Sequence, residues 1–158
     1  MKQLKKGFTL IELILAVSIL GMIIVFSSMA FSNQQNMVSL ESTILEVNSA
    51  IREAQNKSIS QTQDTVGDAN HGVYFTSTSY TVFKGNSYTS NNPTNFTRNF
   101  GSGIYIININ IPNSVLIFDR LTGRQTNYSA TLNTLNFSTF DNDIKSVTIN
   151  PYGAVTIQ

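Results

Sequence analysis

FTLIELILAVSILGMIIVFSSMAF, residues Phe8–Phe31, runs for 24 residues with one charge, Glu12. A helix that crosses a bilayer needs about 20 predominantly apolar residues, so this stretch is long enough to span one. Lys2, Lys5 and Lys6 precede it, and no Lys or Arg follows until Arg52. That asymmetry predicts an N-terminus held in the cytoplasm and a remainder that is exported, a single-pass protein of the cytoplasmic membrane.

The pattern changes after Phe31 without a break. Met37, Leu40, Ile44, Val47, Ile51 and Ala54 recur at spacings of three and four, which is one face of a helix. No Pro or Gly occurs between Met22 and Gln55, so nothing forces the helix to end at the membrane surface. Glu53 and Lys57 add an i,i+4 pair in the favourable order. The expectation is one helix over 8–57, about 75 Å long at 1.5 Å per residue. It spans the membrane over about 8–31 and is amphipathic beyond, so its second half needs a partner with an apolar face.

Residues 58–158 supply that partner. The polar stretch 58–71 reads as a linker or loop. Val73–Thr76, Tyr80–Phe83, Ile104–Ile111, Val115–Phe118, Leu132–Phe137, Val147–Ile149 and Ala154–Ile157 read as short strands. Lys84-Gly85-Asn86 and Asn150-Pro151-Tyr152-Gly153 read as turns, the second with Pro preset at its second position. Residues 85–103, rich in Gly, Asn, Ser and Thr, read as a long loop. Ile104–Ile111 reads as an alternation of Ile104, Ile106, Asn108 and Asn110 against Tyr105, Ile107, Ile109 and Ile111. Short strands at close spacing with no helical period between them indicate antiparallel sheet. The fold class is therefore α+β: a long N-terminal helix packed on a small antiparallel sheet or sandwich.

Composition narrows the function. Charged residues are only 12% of the chain, and removing the three leader lysines leaves seven basic against nine acidic side chains. Nucleic-acid binders carry a basic stripe; Lys84, Arg98, Arg120, Arg124 and Lys145 are scattered among acids and read as a solvated surface, so nucleic acid is not an expected partner. With no Cys, an exported domain holds together by its core alone. His71 is the only histidine and reads as a loop residue. Histidine metal clusters and Ser-His-Asp triads are then hard to build, and no phosphate or dinucleotide loop is present. No catalytic residue, metal site or cofactor is expected.

Lys5-Lys6-Gly7-Phe8-Thr9-Leu10-Ile11-Glu12 resembles the class III signal sequence of type IV prepilins and type II secretion pseudopilins. The resemblance covers residues 2–31. It implies a leader over 1–7, cleavage after Gly7 by a prepilin peptidase at the cytoplasmic face, and methylation of the new amine on Phe8. It further implies that Glu12 pairs with the N-terminal amine of a neighbouring subunit and sets axial register as a fibre grows. Partners follow: lipid before assembly, the peptidase, an inner-membrane assembly platform, and other pilin or pseudopilin subunits through the N-terminal helix. Two blander readings stand beside it. An acid near a helix start could sit at the membrane interface, and Ser28-Met29-Ala30 has the small-x-small form of an ordinary secretory cleavage site, which would release a chain beginning at Phe31.

The β-rich part is similar to H-type minor pseudopilins and FimT-like minor pilins at Gly72-Val73-Tyr74-Phe75, Phe83-Lys84-Gly85, Leu116-Ile117-Phe118 with Gly123, and Val147–Val155. Major pilins usually close a C-terminal loop with a disulfide, and many kink the helix with a proline where this chain has Met29. Asp141 and Asp143 alone are too few oxygens for the calcium loop of major pseudopilins. All three departures point to a minor subunit of a structural filament. The alternative is a filament-tip binding module, an adhesin or DNA-uptake receptor, using the 85–103 stretch.

Overall fold

The computed structural model describes residue 7, residues 9–60 and residues 70–158, with backbone alone over 28–33. The expected leader residues 1–6, Phe8 and most of the expected linker, 61–69, lie outside the described residues. One helix, α1, runs Leu10–Ser60. The chain divides into two compact units, Met1–Gln35 and Asn36–Gln158.

In the first unit the helix segment Leu10–Ser27 is long and apolar enough to cross a membrane, and none of it is buried within the chain. Leu10, Ile11, Val17 and Phe26 stand 62–77% exposed. Apolar surface of that extent is unfavourable in water at roughly 25 cal/mol per Å², so this segment is built for lipid or for other helices. Ser18 turns its hydroxyl back to donate to the Ile14 carbonyl at 2.8 Å, which satisfies a polar group that lipid would leave bare.

The second unit packs the rest of α1 against eight strands: β1 (His71–Phe75), β2 (Ser79–Lys84), β3 (Phe96–Asn99), β4 (Ile104–Asn110), β5 (Val115–Phe118), β6 (Thr134–Thr139), β7 (Ile144–Ile149) and β8 (Val155–Ile157). They form two four-stranded antiparallel sheets, ordered β3-β2-β1-β5 and β4-β6-β7-β8. The layout is α+β and pilin-like, as expected from the sequence. Leu40, Ile44, Val47, Ile51 and Ala54 of the helix are at most 1% exposed and share one core with Val73, Phe75, Leu116, Phe118, Leu135, Phe137 and Val147. Met37, expected on the same face, is 41% exposed; the buried stripe begins one turn later, at Leu40.

Three local expectations are corrected. The 85–103 stretch is not one loop, because Phe96–Asn99 pairs with β2 as an edge strand. His71 is not a loop residue but opens β1, buried at 6%, with its backbone N–H donating to the buried hydroxyl of Ser58 at the helix end. The simple alternation along Ile104–Ile111 is broken by a bulge, since Ile106 faces Phe137 while Asn108 faces the adjacent Asn136. Ile107 is the unpaired extra residue and is 47% exposed. A bulge shifts the two-residue period by one, so Ile104, Ile106 and then Ile111 are buried and Ile109 packs against the core, while Asn108 and Asn110 turn outward.

The terminal hairpin expected at Asn150–Gly153 is present. Gly153 donates to the Asn150 carbonyl at φ +72°, and Val155–Ile157 pair back onto β7. This turn and the Asp119–Gly123 turn meet the helix through Gln55, whose amide donates to the carbonyls of Gly123 at 2.7 Å and Tyr152 at 2.9 Å. The Asp119 carboxylate organises its own loop by accepting from the N–H and hydroxyl of Thr122 and the N–H of Leu121, which holds it below the usual carboxylate range. Gln55→Leu keeps the side-chain bulk and removes both bonds. It is expected to lower stability by about 2 kcal/mol, read as a fall in the thermal midpoint of the detergent-solubilised chain.

Candidate functional site

The residues marked by the sequence gather at the start of α1. Gly7 is exposed, and a Cβ added there would meet nothing within 4 Å. No packing demand of the described structure requires glycine at this position. Phe8 lies outside the described residues.

Thr9 and Glu12 form the helix start. The Thr9 carbonyl accepts from the N–H groups of Glu12 at 3.1 Å and Leu13 at 3.2 Å. The Glu12 N–H also faces the Thr9 hydroxyl at 3.4 Å, and the Glu12 carboxylate reaches back to the Thr9 N–H at 3.5 Å. This reciprocal Thr-x-x-Glu arrangement is a capping box, long in its distances, that satisfies two of the N–H groups a helix start leaves free. A carboxylate in the first turn also complements the positive end of the helix dipole. The motif is readable in Thr9-Leu10-Ile11-Glu12 as a Thr followed three residues later by a Glu at the head of an apolar run. Glu12 therefore has a local partner, and its carboxylate stays exposed at the end of an apolar helix.

Elsewhere the chemistry is sparse. Among the described residues no group of three or more His, Asp and Glu side chains could hold a metal ion. An open cleft of about 310 Å³ lies on the outer face of the β3-β2-β1-β5 sheet, between the stacked rings of Tyr74 and Tyr88 (4.1 Å) and the side chains of Asn113, Ile117 and Asn127. Asn127 is spoken for: it donates to the Val115 carbonyl and accepts from the Ile117 N–H, capping the outer edge of β5. Of the five scattered cations, Arg98 pairs with Glu46 and Lys145 with Glu41. Tyr80 donates to the same Glu46 at 3.1 Å, and burial, with Glu46 adding, pushes its phenol up to about 12. These contacts fasten the edge strand β3 to the helix.

No curated protein and no solved structure is a significant match to the chain. Residues 2–28 match the family described as the prokaryotic N-terminal methylation motif. That match spans the lysines, Gly7, the capping box and most of the apolar helix, and with the α+β layout it supports a protein of the type IV pilin and pseudopilin kind, anchored in a membrane and processed by a prepilin peptidase.

Proposed function

We propose that the chain is a structural subunit, a minor one of the H-type kind, of a type IV pilus-like or type II secretion pseudopilus filament. The observation that carries this reading is Lys5-Lys6-Gly7-Phe8 joined to an apolar helix with no burial inside its own chain. The leader, residues 1–7, is removed after Gly7. The long helix, expected over 8–57 and carried on to Ser60 in the structure, keeps its membrane-spanning part over about 8–31, and the β-rich part that follows it is exported. A bare glycine lets a protease approach the backbone, and the cut exposes an amine on Phe8. Because the apolar segment survives the cut, the product stays in the membrane until helices of other subunits replace lipid around it. The Glu12 carboxylate, one helical turn from the new amine, then pairs with the amine of a neighbour. A charge at mid-bilayer costs about 2.5–3.5 kcal/mol, and such pairing reduces that cost at one axial position only. The filament machinery of the membrane and sibling subunits are its partners, and its role is assembly rather than catalysis. The absence of Cys and the lone Asp141 and Asp143 support a minor rather than a major subunit.

Mass spectrometry of the N-terminal peptide from cells tests this reading. The expected species is methylated Phe8; a chain that begins at its leader, or at Phe31, removes the proposal. Gly7→Leu is expected to abolish cleavage and accumulate the precursor. Since nothing crowds position 7, the variant should insert and fold as before, so its uncleaved form reports on the protease and not on misfolding.

A further inference from the structure

The outer face of the β3-β2-β1-β5 sheet carries side chains that neither the core nor the helix start uses. Side chains alternate along a strand. Val73, Phe75, Leu116 and Phe118 fill the core, so Tyr74 and Ile117 stand on the opposite face. The stretch after β2 is carried back onto that face. Its Tyr88 ring lies flat against Tyr74 at 4.1 Å and meets the Phe83 ring nearly at right angles. Asn92 and the Thr89 carbonyl brace the same stretch by accepting from Thr94 and Asn95, so the ring pair is positioned in advance. The opposite wall of the cleft is the turn into β5. There Asn113 and Ser114 take left-handed backbone at φ +53° and +59°, a conformation residues with a Cβ seldom adopt twice running. It leaves the Asn113 carboxamide exposed at the cleft.

The rim offers both donors and acceptors. The side chains of Ser87 and Asn113 and the hydroxyls of Tyr74 and Tyr88 have no hydrogen-bond partner among the described residues. Asn127 uses one of its two amide hydrogens, on the Val115 carbonyl. No charged side chain among the described residues lines the cleft. The undescribed stretch that precedes Asn70 contains Asp64 and Asp68 and no Lys or Arg. Neither supplies the cation that a phosphate or carboxylate ligand needs.

We propose that this cleft binds a neutral saccharide, with a sugar ring against the tyrosine pair and its hydroxyls on Ser87, Asn113 and Asn127. A sugar ring has a C–H face that suits the flat apolar body of a tyrosine, and hydroxyls that each donate and accept. Carboxamides and hydroxyls around an apolar floor at Ile117 answer both. The volume, about 310 Å³, falls at the lower end of the roughly 300–1,000 Å³ of small-ligand pockets and suits a short stretch of glycan. Two other occupants fit less well. An extended peptide needs an open strand edge, but β1 is paired on both sides and Asn127 closes the outer edge of β5. A single-stranded nucleic acid would stack on the tyrosines but brings phosphates that no cation of the cleft meets. This binding belongs to the β-rich unit and is independent of the filament reading.

The test is an array of neutral and acidic glycans, followed by saturation-transfer NMR on those that bind. The full-length chain is used in a detergent without a sugar head group, since a glucoside or maltoside would compete. Neutral glycans are expected to bind, with the strongest transfer at ring C–H protons. Asn113→Gly keeps the left-handed turn without strain and deletes the carboxamide. It should weaken binding roughly five- to tenfold, the effect of one lost hydrogen bond, with the thermal midpoint unchanged. Tyr88→Leu keeps an apolar cover over Phe83 and should weaken binding by at least about tenfold, as loss of an aromatic anchor does. Both variants should be cleaved after Gly7 and enter filaments like wild type. No neutral glycan bound, or binding that both variants leave unchanged, overturns the proposal. So does a cleft that takes only acidic glycans, an oligonucleotide or an extended peptide. Loss of filament incorporation in a folded Asn113→Gly chain would make the cleft an assembly contact and also overturn it. An uncleaved leader sinks the filament reading alone, because the array reads the saccharide site directly.

Discussion

Glu12→Gln is expected to leave the helix start intact and to reduce incorporation into filaments by upwards of about a hundredfold. Glutamine serves as well as glutamate at the third helical position of a capping box, so the bonds between Glu12 and Thr9 have a replacement. What glutamine lacks is the charge that would meet a neighbour's amine. Removing one partner of a desolvated pair costs about 3–5 kcal/mol, because the other charge is left unpaired, and each 1.4 kcal/mol is about tenfold in an equilibrium. Glu12→Ala removes cap and charge together and cannot separate the two roles. The comparison to make is therefore wild type, Gln and Ala, each measured for membrane insertion, leader cleavage and recovery in sheared filaments. Gln incorporated like wild type while Ala is lost would reduce Glu12 to a helix cap. Equal loss in both, with cleavage and insertion normal, is the expected pattern.

The helix and the core were legible because burial there follows simple periods. Leu40 to Ala54 keeps the three-four spacing against a single partner, and Val73–Phe75, Leu116–Phe118 and Val147–Ile149 are runs with no competing reading. What escaped lies where another interaction replaces the period. Phe96–Asn99 is an edge strand with all four residues exposed, so it has no apolar face to announce it, and its backbone pairing with β2 is invisible in the side chains. The bulge at Ile107 disguised a change of face as uninterrupted alternation. His71 looked like the end of a polar loop because its anchor, the Ser58 hydroxyl, sits 13 residues earlier on the helix. At the candidate site the residue types are legible, but a Thr-x-x-Glu pair at the edge of an apolar run gives two signals at once, and the charge of Glu12 beside lipid masks its role as a helix cap.

Gly72→Ala is expected to be the most damaging single-methyl change in the β-rich unit. Gly72 sits in β1, which is paired on both sides, with Phe83 of β2 and Ile117 of β5 opposite it. A Cβ there would lie 2.4 Å from the Leu116 carbonyl oxygen and 2.6–2.8 Å from the Phe83 ring. The ring is 1% exposed, wedged against Tyr88 on the outer face of the sheet, so it has little room to swing. The carbonyl has less, since β5 is held by β1 on one edge and by Asn127 on the other. Overpacking usually costs about 1–3 kcal/mol and sometimes more. With backbone as the obstacle the loss should reach the upper end, about 3 kcal/mol, which lowers the thermal midpoint by more than about 10 °C in a domain of this size. Adding Phe83→Leu should recover part of that loss by freeing the ring side while the carbonyl contact remains, a coupling of the kind neighbouring sites show. Near-ultraviolet circular dichroism of the full chain in detergent reads both. A midpoint within a degree or two of wild type for Gly72→Ala would mean that β1 and β5 separate freely and that β1 is not clamped from both sides.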